Sequence, residues 1–338
     1  MSSNRTLTVA AAQALARDAL SAAGAGDDQA ERVAAALIAA ELDGLPSHGL
    51  ARVAAYAAQV AAGKVDGRAE PVVTRCAPSA VTVDAGYGFA YTAIDTGLAE
   101  AVPRAAETGC CALAIAHSHH AGVLGHHVER IAEQGQIGLA FANAPASIAA
   151  WGGRRPAYGT NPLAFAAPRE QAAPLVVDLS VAVVARGHVM FAAQRGEAIP
   201  EGWALDADGQ PTTDAQAALA GTMQPMGGAK GAALALVVEI LAAALTGSSA
   251  SAGASSLFDA SGGPPDLGQS FILIDPERLG GRDFGPSLEA LLAQITAEPG
   301  VRLPGARRQA QRRIKAEAGI VLGAELLAQL ESLAAGAS

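Results

Sequence analysis

Cysteine, aromatic rings and charge are all scarce in these 338 residues. Three cysteines occur, Cys76, Cys110 and Cys111. An odd number without framework spacing excludes a disulfide-stapled fold, and vicinal Cys110-Cys111 makes a poor structural bridge, so reduced thiols in a cytoplasmic protein are expected. Charged residues are 16% of the chain and leave a net charge of -9. That surface repels phosphate at long range, which argues against nucleic-acid or anionic-membrane partners and confines any anion site to a local basic patch. Long apolar runs are missing as well. The longest, Ala232 to Leu245, is interrupted by Glu239 and falls short of a membrane span, so a buried helix is expected there. The opening MSSNRTLTVAAAQALARDAL lacks an uninterrupted apolar core with a cleavage site and reads as a Thr-led amphipathic helix, so no export is expected.

Several motifs are absent too. No strand followed by GxGxxG and a distant acid occurs, so a nicotinamide cofactor would need something other than a Rossmann crossover. Gly227-Gly228-Ala229-Lys230-Gly231 does not match GxxxxGK[ST], which argues against an ATP P-loop. Neither HExxH nor CxxC accompanies the histidines.

What is present is hydrophobic: 51% of residues are apolar, many of them alanine of high helix propensity. At this length two or three lobes sharing one site are expected. Residues 1–70 carry helical periodicity and form the first part of a helical lobe. Residues 71–285 are sheet-rich, with strands at Val72-Thr74, Val81-Val83, Cys111-Ala116, Ile137-Phe141, Leu163-Ala166, Leu175-Leu179 and Ser270-Ile274, and a helix over Tyr91-Thr108. Residues 286–338 return to helical spacing and to the helical lobe. The stretch Ser248 to Ser256 (SSASAGASS) reads as a flexible surface loop.

Three constellations could carry chemistry. The spacing i, i+4, i+8 puts His48, Arg52 and Tyr56 on one helix face. An arginine that fixes a carboxylate in bidentate fashion, next to an acid of near-neutral pKa, is what reduction of an α-keto or α-imino acid requires. The plainer alternative is that Ser47 caps a helix and His48 and Arg52 are surface groups. Second, five of the seven histidines, His117, His119, His120, His126 and His127, fall in eleven residues. Zinc is the obvious rival there, but the expected companions are missing, so no metal is expected. His120-Ala121-Gly122-Val123-Leu124 instead reads as a strand-to-helix loop whose small residues admit a cofactor to backbone amides. Third, the glycines before Ala229-Lys230 open a helix where free amides, dipole and ammonium make an anion site, or else a simple helix-start turn.

The segments SHGLARVAAYAAQVAAGKV, AHSHHAGVLGHHVERIAEQGQIGLAFAN, YGTNPLAFAAP, VVDLSVAVVARGHV, IPEGWALDADGQPTTD and MQPMGGAKGAALALVVEILAAALTG, in that order, resemble the malate/L-lactate dehydrogenase-like oxidoreductases. The resemblance implies an α/β fold that is not a Rossmann fold: a largely antiparallel sheet domain binding NAD(P)H, a helical lobe built from both termini, and a homodimer completing the site. FDASGGPPDLGQSFILIDP and the RLPGARR ending look most like the cyclic-imine branch, which implies NADPH-dependent reduction of Δ1-pyrroline-2-carboxylate and Δ1-piperideine-2-carboxylate to L-proline and L-pipecolate. NADH would serve less well. A malate-, lactate- or sulfolactate-type dehydrogenase is the alternative, and a metal-dependent hydrolase a remote one. One position departs from the pattern, His188, where the family often has Lys or Asp.

Carried over by motif, Ser47 and His48 resemble the proton relay and donor and Arg52 the carboxylate clamp. Thr160, Arg186 and Gly187 would lie near substrate. His120, Ala121, Gly122, Val123 and Leu124, with Asp178, Leu179, Ser180, Ala229 and Lys230, would line the cofactor. The basic run with Arg307, Arg308, Arg312 and Arg313 would suit a 2′-phosphate, unless it is a solvated helix face.

Overall fold

The structure is a computed structural model and describes residues 4–280 and 283–336. The chain opens with strand β1 (Arg5–Leu7) and helices α1 (Val9–Ala22) and α2 (Asp27–Leu42), then two 3-10 turns, Pro46–His48 and Leu50–Arg52, that lead into α3 (Val53–Ala61). Next come β2 (Val72–Ala77), β3 (Ala80–Asp84), α4 (Ala90–Thr108), β4 (Cys110–Ser118), α5 (Leu124–Glu133) and β5 (Ile137–Ala142). The middle holds β6 (Ile148–Ala149), β7 (Pro156–Tyr158), β8 (Leu163–Ala167), β9 (Leu175–Leu179), α6 (Arg186–Arg195), β10 (Ala204–Leu205), β11 (Pro211–Thr212), α7 (Ala215–Ala220) and β12 (Thr222–Met223). Then α8 (Ala229–Glu239) continues through a π-helical turn, Ile240–Ala244, and is followed by β13 (Leu267–Ile274), α9 (Phe284–Thr296), α10 (Ala306–Ala318), β14 (Ile320–Leu322) and α11 (Ala324–Ala334).

The termini meet. β1 pairs antiparallel with β14, and α1 packs on α2 and α11. α1 starts where the Thr8 hydroxyl accepts from the Ala11 amide at 3.1 Å, satisfying a donor the helix cannot. Its buried residues Ala12, Ala16, Ala19 and Leu20 recur at helical spacing and pack with Val33, Leu37, Leu50, Tyr56 and Leu330. Small alanines let these helices approach closely, so a helical lobe from both ends follows from the composition.

The main sheet has seven strands in the order β2-β3-β4-β13-β5-β8-β9. Within this sheet β3 and β4 are the one parallel pair among the described residues, joined by the α4 crossover; its other neighbours are antiparallel. The fold is therefore α/β with a largely antiparallel sheet, as expected. β13 lies in the middle and is almost wholly buried, which explains its near-continuous apolar sequence from Phe271 to Ile274. A smaller sheet, β11-β10-β12-β6-β7, carries a third core around Ile148, Val181, Val189 and Met223.

Four expectations need correction. Arg52 and His48 do not share one α-helix with Tyr56: Gly49 breaks the path into two 3-10 turns. A Cβ at Gly49 would overlap the Glu41 carboxylate, which accepts from the Leu50 amide at 2.8 Å. The apolar run 232–245 is not a buried helix. Its inward face is mostly alanine with Glu239, while Leu236, Val237, Ile240 and Leu245 are 45–62% exposed. The serine-rich stretch 248–256 is a packed loop: Ser251 is buried against Glu239, and Asn143 donates to the Ser249 carbonyl. Finally, α9 is tied by Glu289 to Arg169 beyond β8, at 2.7 Å, and only α10 and α11 return to the helical lobe. No described helix is long and apolar enough to cross a membrane.

Candidate active site

The 3-10 turns of the helical lobe face the end of β4. Arg52 is buried, 7% exposed, its Nε has no hydrogen-bond partner, and no carboxylate forms an ion pair with it among the described residues. Its guanidinium instead lies 5.8 Å from the Tyr56 ring centroid and 4.5 Å from that of Phe258. An uncompensated buried cation is costly, and the arrangement is stable only if the aromatic faces and a visiting anion offset that cost. The in-plane N–H groups remain available to such an anion.

His48 sits beside this cation. Its ring centroid is 5.5 Å from that of His120, and the Ser47 hydroxyl lies 3.1 Å from its Nδ1. Burial, and after it the positive charge of Arg52, pulls the imidazole down to about 4, so it is neutral at pH 7. The neutral tautomer in which Nδ1 accepts from the Ser47 hydroxyl carries its proton on Nε2. Tyr56 is fully buried and its hydroxyl is 2.7 Å from His120 Nδ1; desolvation raises this phenol above its ordinary range. His120 is driven well below 6.5 by burial and then by Arg52.

The histidine cluster does not converge. His119 bonds Gln59 at 2.8 Å, His126 bonds Asp43 at 2.8 Å, His127 bonds the Ala121 carbonyl at 2.9 Å, and His117 bonds Asp84 at 3.1 Å. Each imidazole has a separate partner, and no group of three or more His, Cys, Asp or Glu among the described residues could hold a metal.

The His120–Leu124 loop runs from β4 to the N-terminus of α5, where no side chain caps the free amides. Gly122 has a φ of 66°, and a Cβ there would crowd the Tyr91 hydroxyl, so the tight path of this loop needs glycine. Gly125 brings the first turn of α5 against Asp178, whose carboxylate pairs with Arg308 at 2.6 Å. Asp178 and Arg308 both weigh on the charge of His48. Thus Ser47, His48, Arg52, His120–Leu124, Asp178 and Arg308 form one neighbourhood.

Residues 7–331 match the family model described as malate/L-lactate dehydrogenase. The chain belongs to the malate/L-lactate dehydrogenase family. It is 50% identical over 314 residues to the (2R)-3-sulfolactate dehydrogenase (NADP(+)) of Chromohalobacter salexigens, covering 93% of this chain and 94% of that one. It is 39% identical over 330 residues to the Δ1-pyrroline-2-carboxylate reductase of Ancylobacter novellus, 97% of each chain. The crystal structure of Δ1-piperideine-2-carboxylate reductase from Pseudomonas syringae pv. tomato superposes with a TM-score of 0.93 at 37% identity, covering 97% of this chain and 99% of that one.

The remaining residues carried over from this family are more dispersed. No hydrogen bond or ion pair among the described residues connects Thr160, Arg186-Gly187 or Ala229-Lys230 to His48. The Thr160 carbonyl accepts from Val181 at 2.9 Å, and the Ser180 hydroxyl donates to Ala182 at 3.4 Å, which fixes the turn after Leu179. Arg186 heads α6, half-buried, and donates to the Leu219 carbonyl at 3.2 Å. Burial lowers its pKa. Gly187 and Gly227 face open space, and α8 begins at Gly228 without a side-chain cap beside the exposed Lys230, so backbone there is open to a ligand. Of the four arginines on α10, Arg312 is engaged twice, with Asp43 at 2.7 Å and Glu129 at 2.8 Å, and Arg308 once; Arg307 and Arg313 are exposed and form no ion pair among the described residues.

Residues missed at the level of sequence are Phe258, Lys64 and Gln59. The one available signal was Leu257-Phe258, the single large apolar pair in the polar stretch from Ser248 to Asp266.

Proposed function

We propose that this protein reduces the cyclic α-imino acids Δ1-pyrroline-2-carboxylate and Δ1-piperideine-2-carboxylate to L-proline and L-pipecolate with NADPH. The observation that carries the reading is Arg52: a buried guanidinium with aromatic faces and no carboxylate partner among the described residues, next to a neutral histidine. Relatives named as reductases of those two acids support it.

The uncapped α5 terminus and the open backbone at Gly187 and Gly227 fit a phosphate-bearing cofactor. His120–Leu124, Asp178–Ser180 and Ala229-Lys230 would hold it, and Arg307 and Arg313, with Arg308, would favour a 2′-phosphate over NADH. When bound, NADPH supplies the hydride that reduces the C=N carbon. Arg52 would hold the substrate carboxylate in bidentate fashion, and His48, protonated in the presence of substrate, would give its Nε2 proton to the ring nitrogen and return to the neutral form, with Ser47 steadying the ring at Nδ1. Carboxylate binding offsets the pull of Arg52 on His48 and raises the pKa of the imidazole, so more of it carries the proton to be donated when substrate is present. Sequestration of Tyr56 and His119 keeps water from the inner wall of this pocket.

The exposed stripe Leu236, Val237, Ile240 and Leu245 supports a homodimer in which a second copy covers it. The three free cysteines, Cys76, Cys110 and Cys111, support a reducing, cytoplasmic location.

A second reading, a sulfolactate-type dehydrogenase, is favoured by the 50% identical relative. A sulfonate demands a second cation, and Arg186, half-buried without a carboxylate partner among the described residues, is the side chain that would supply one. Following NADPH oxidation with Δ1-pyrroline-2-carboxylate, Δ1-piperideine-2-carboxylate, pyruvate, oxaloacetate and sulfopyruvate side by side separates the readings. Turnover led by the cyclic imines is expected; turnover led by sulfopyruvate would replace the substrate and retain the family.

A further inference from the structure

The loop that reads as flexible from its serines is fastened to the helix that directly follows the carboxylate clamp. Arg52 is the residue just before α3 and Tyr56 lies in its middle; Gln59 lies near its end and Lys64 just beyond it. Lys64 is 2% exposed, and its ammonium donates to three loop carbonyls: Ser256 at 2.7 Å, Asp259 at 3.1 Å and Ser261 at 2.7 Å. Its nearest carboxylate oxygen, on Asp259, is 3.8 Å away. Gln59 Nε2 donates to the same Asp259 carbonyl at 3.1 Å while its oxygen meets His119. Burying an ammonium against carbonyls is costly unless the geometry it fixes has a use. What it fixes is Phe258, which lies between the anchored carbonyls, remains 50% exposed, and stacks at 4.5 Å on the guanidinium of Arg52.

A stacked ring covers one face of the guanidinium and leaves its edge free. A carboxylate bound on that edge would carry the rest of its molecule along the border of the Phe258 ring. There an apolar ring gains contact with the Phe258 side chain, whereas a second anionic group loses water without gaining a cation. The geometry points to Phe258 as a specificity-determining wall of the Arg52 pocket, selecting an apolar ring beside the carboxylate over a second anionic group, with Lys64 as the positioning residue that holds the wall in place. This deepens the cyclic-imine reading and rests on it for the identity of the substrate.

The test is calorimetric binding to the intact protein saturated with NADPH, using two unreactive probes: pyrrole-2-carboxylate, a planar ring acid, and sulfoacetate, which carries two anionic groups. The unaltered protein binds the ring acid more tightly. Phe258→Ala weakens the ring acid about 10-fold and changes sulfoacetate less than about 3-fold, because only the apolar contact is lost. Lys64→Met gives the same pattern, and adding Phe258→Ala to it costs little more, since both changes remove one wall. Equal losses for the two probes, no loss, or no binding of the ring acid would overturn the assignment. If Lys64→Met does not fold, the Phe258→Ala pair still decides the wall. If the unaltered protein shows the probe pattern but does not turn over the imines, the wall stands and the imine reading fails.

Discussion

Two arginines of this molecule are held in opposite ways. Arg312 bridges α10 to Asp43 at the end of α2 and to Glu129 on α5, both buried carboxylates, and His126 completes the network on Asp43. Its pKa is raised by the hydrogen bond to Asp43 above all, and Asp43 in turn is held far below the usual carboxylate range, its hydrogen bonds to His126 and Arg312 overcoming the effect of burial. Every charge there has a partner inside the chain, so the cluster works as a rivet between the helical lobe and the sheet. Arg52 is more deeply placed than the half-buried Arg312 and has aromatic rings where Arg312 has carboxylates. A buried cation without a carboxylate partner among the described residues marks a candidate binding site; one whose partners are supplied is architecture.

That contrast can be broken experimentally. The largest effect is expected at the proton donor: His48→Ala lowers turnover of the cyclic imine by roughly 10²–10⁴-fold, the usual worth of a positioned acid, with NADPH affinity retained. Steady-state rates and cofactor fluorescence measure the two parts separately, and unchanged turnover would move the role to His120.

Next is the rivet. Arg312→Ala leaves Asp43 and Glu129 buried without their cation and lowers stability by about 3 kcal/mol in urea titration, whereas Arg307→Ala, on the exposed side of the same helix, changes it by less than about 0.5 kcal/mol.

Acid should act on the site rather than on the rivet. Burial lowers His48 to about 4, His119 to about 3 and His127 to about 4, all below the unfolded value of 6.5. Because the unfolded chain takes up these protons first, their contribution is fully present above pH 6.5 and is lost as pH falls toward 4. Each histidine steepens the fall by up to about 1.4 kcal/mol per pH unit. Unfolding curves at pH 7.5, 6, 5 and 4.5 give the slope, and His119→Gln should flatten it. Asp43 titrates only under much stronger acid while Arg312 is in place, so the rivet of the unaltered protein adds nothing to the slope in this range.

The smallest effect is at the cofactor. Arg307→Ala with Arg313→Ala should lower the NADPH-to-NADH preference about 10-fold, since each exposed pair with a 2′-phosphate is worth no more than about 1 kcal/mol. An unchanged preference would leave α10 as a structural helix.

Much of the fold is legible locally. β3, β4, β5, β8, β9 and the latter half of β13 announce themselves by apolar runs between glycine turns, and the helical lobe by alanine at helical spacing. The misreadings share a cause, which is contact between distant residues. Gly49 ends the 3-10 turn because the Glu41 carboxylate occupies the space where a side chain would be. The 248–256 loop is ordered through Glu239 and through Lys64, which is about two hundred residues earlier in the chain. The run 232–245 has the composition of a core helix, yet its inward face is mostly alanine with Val238 and Glu239, while Leu236, Val237, Ile240 and Leu245 face outward, an arrangement that periodicity alone does not orient. Within the site, Ser47, His48 and Arg52 are evident as a motif, but whether an arginine is spent or free depends on carboxylates brought from elsewhere. That is why Arg312 and Arg52 look alike in sequence and differ in the structure.

The most direct measurement is the split between KM and kcat for Arg52→Ala with Δ1-pyrroline-2-carboxylate at saturating NADPH. If the guanidinium is kept free to hold the substrate carboxylate, KM rises by about 30-fold or more while kcat changes by less than about 3-fold, since the bond is made equally in the ground and transition states. An unchanged KM would mean that the buried cation serves the protein and not its substrate.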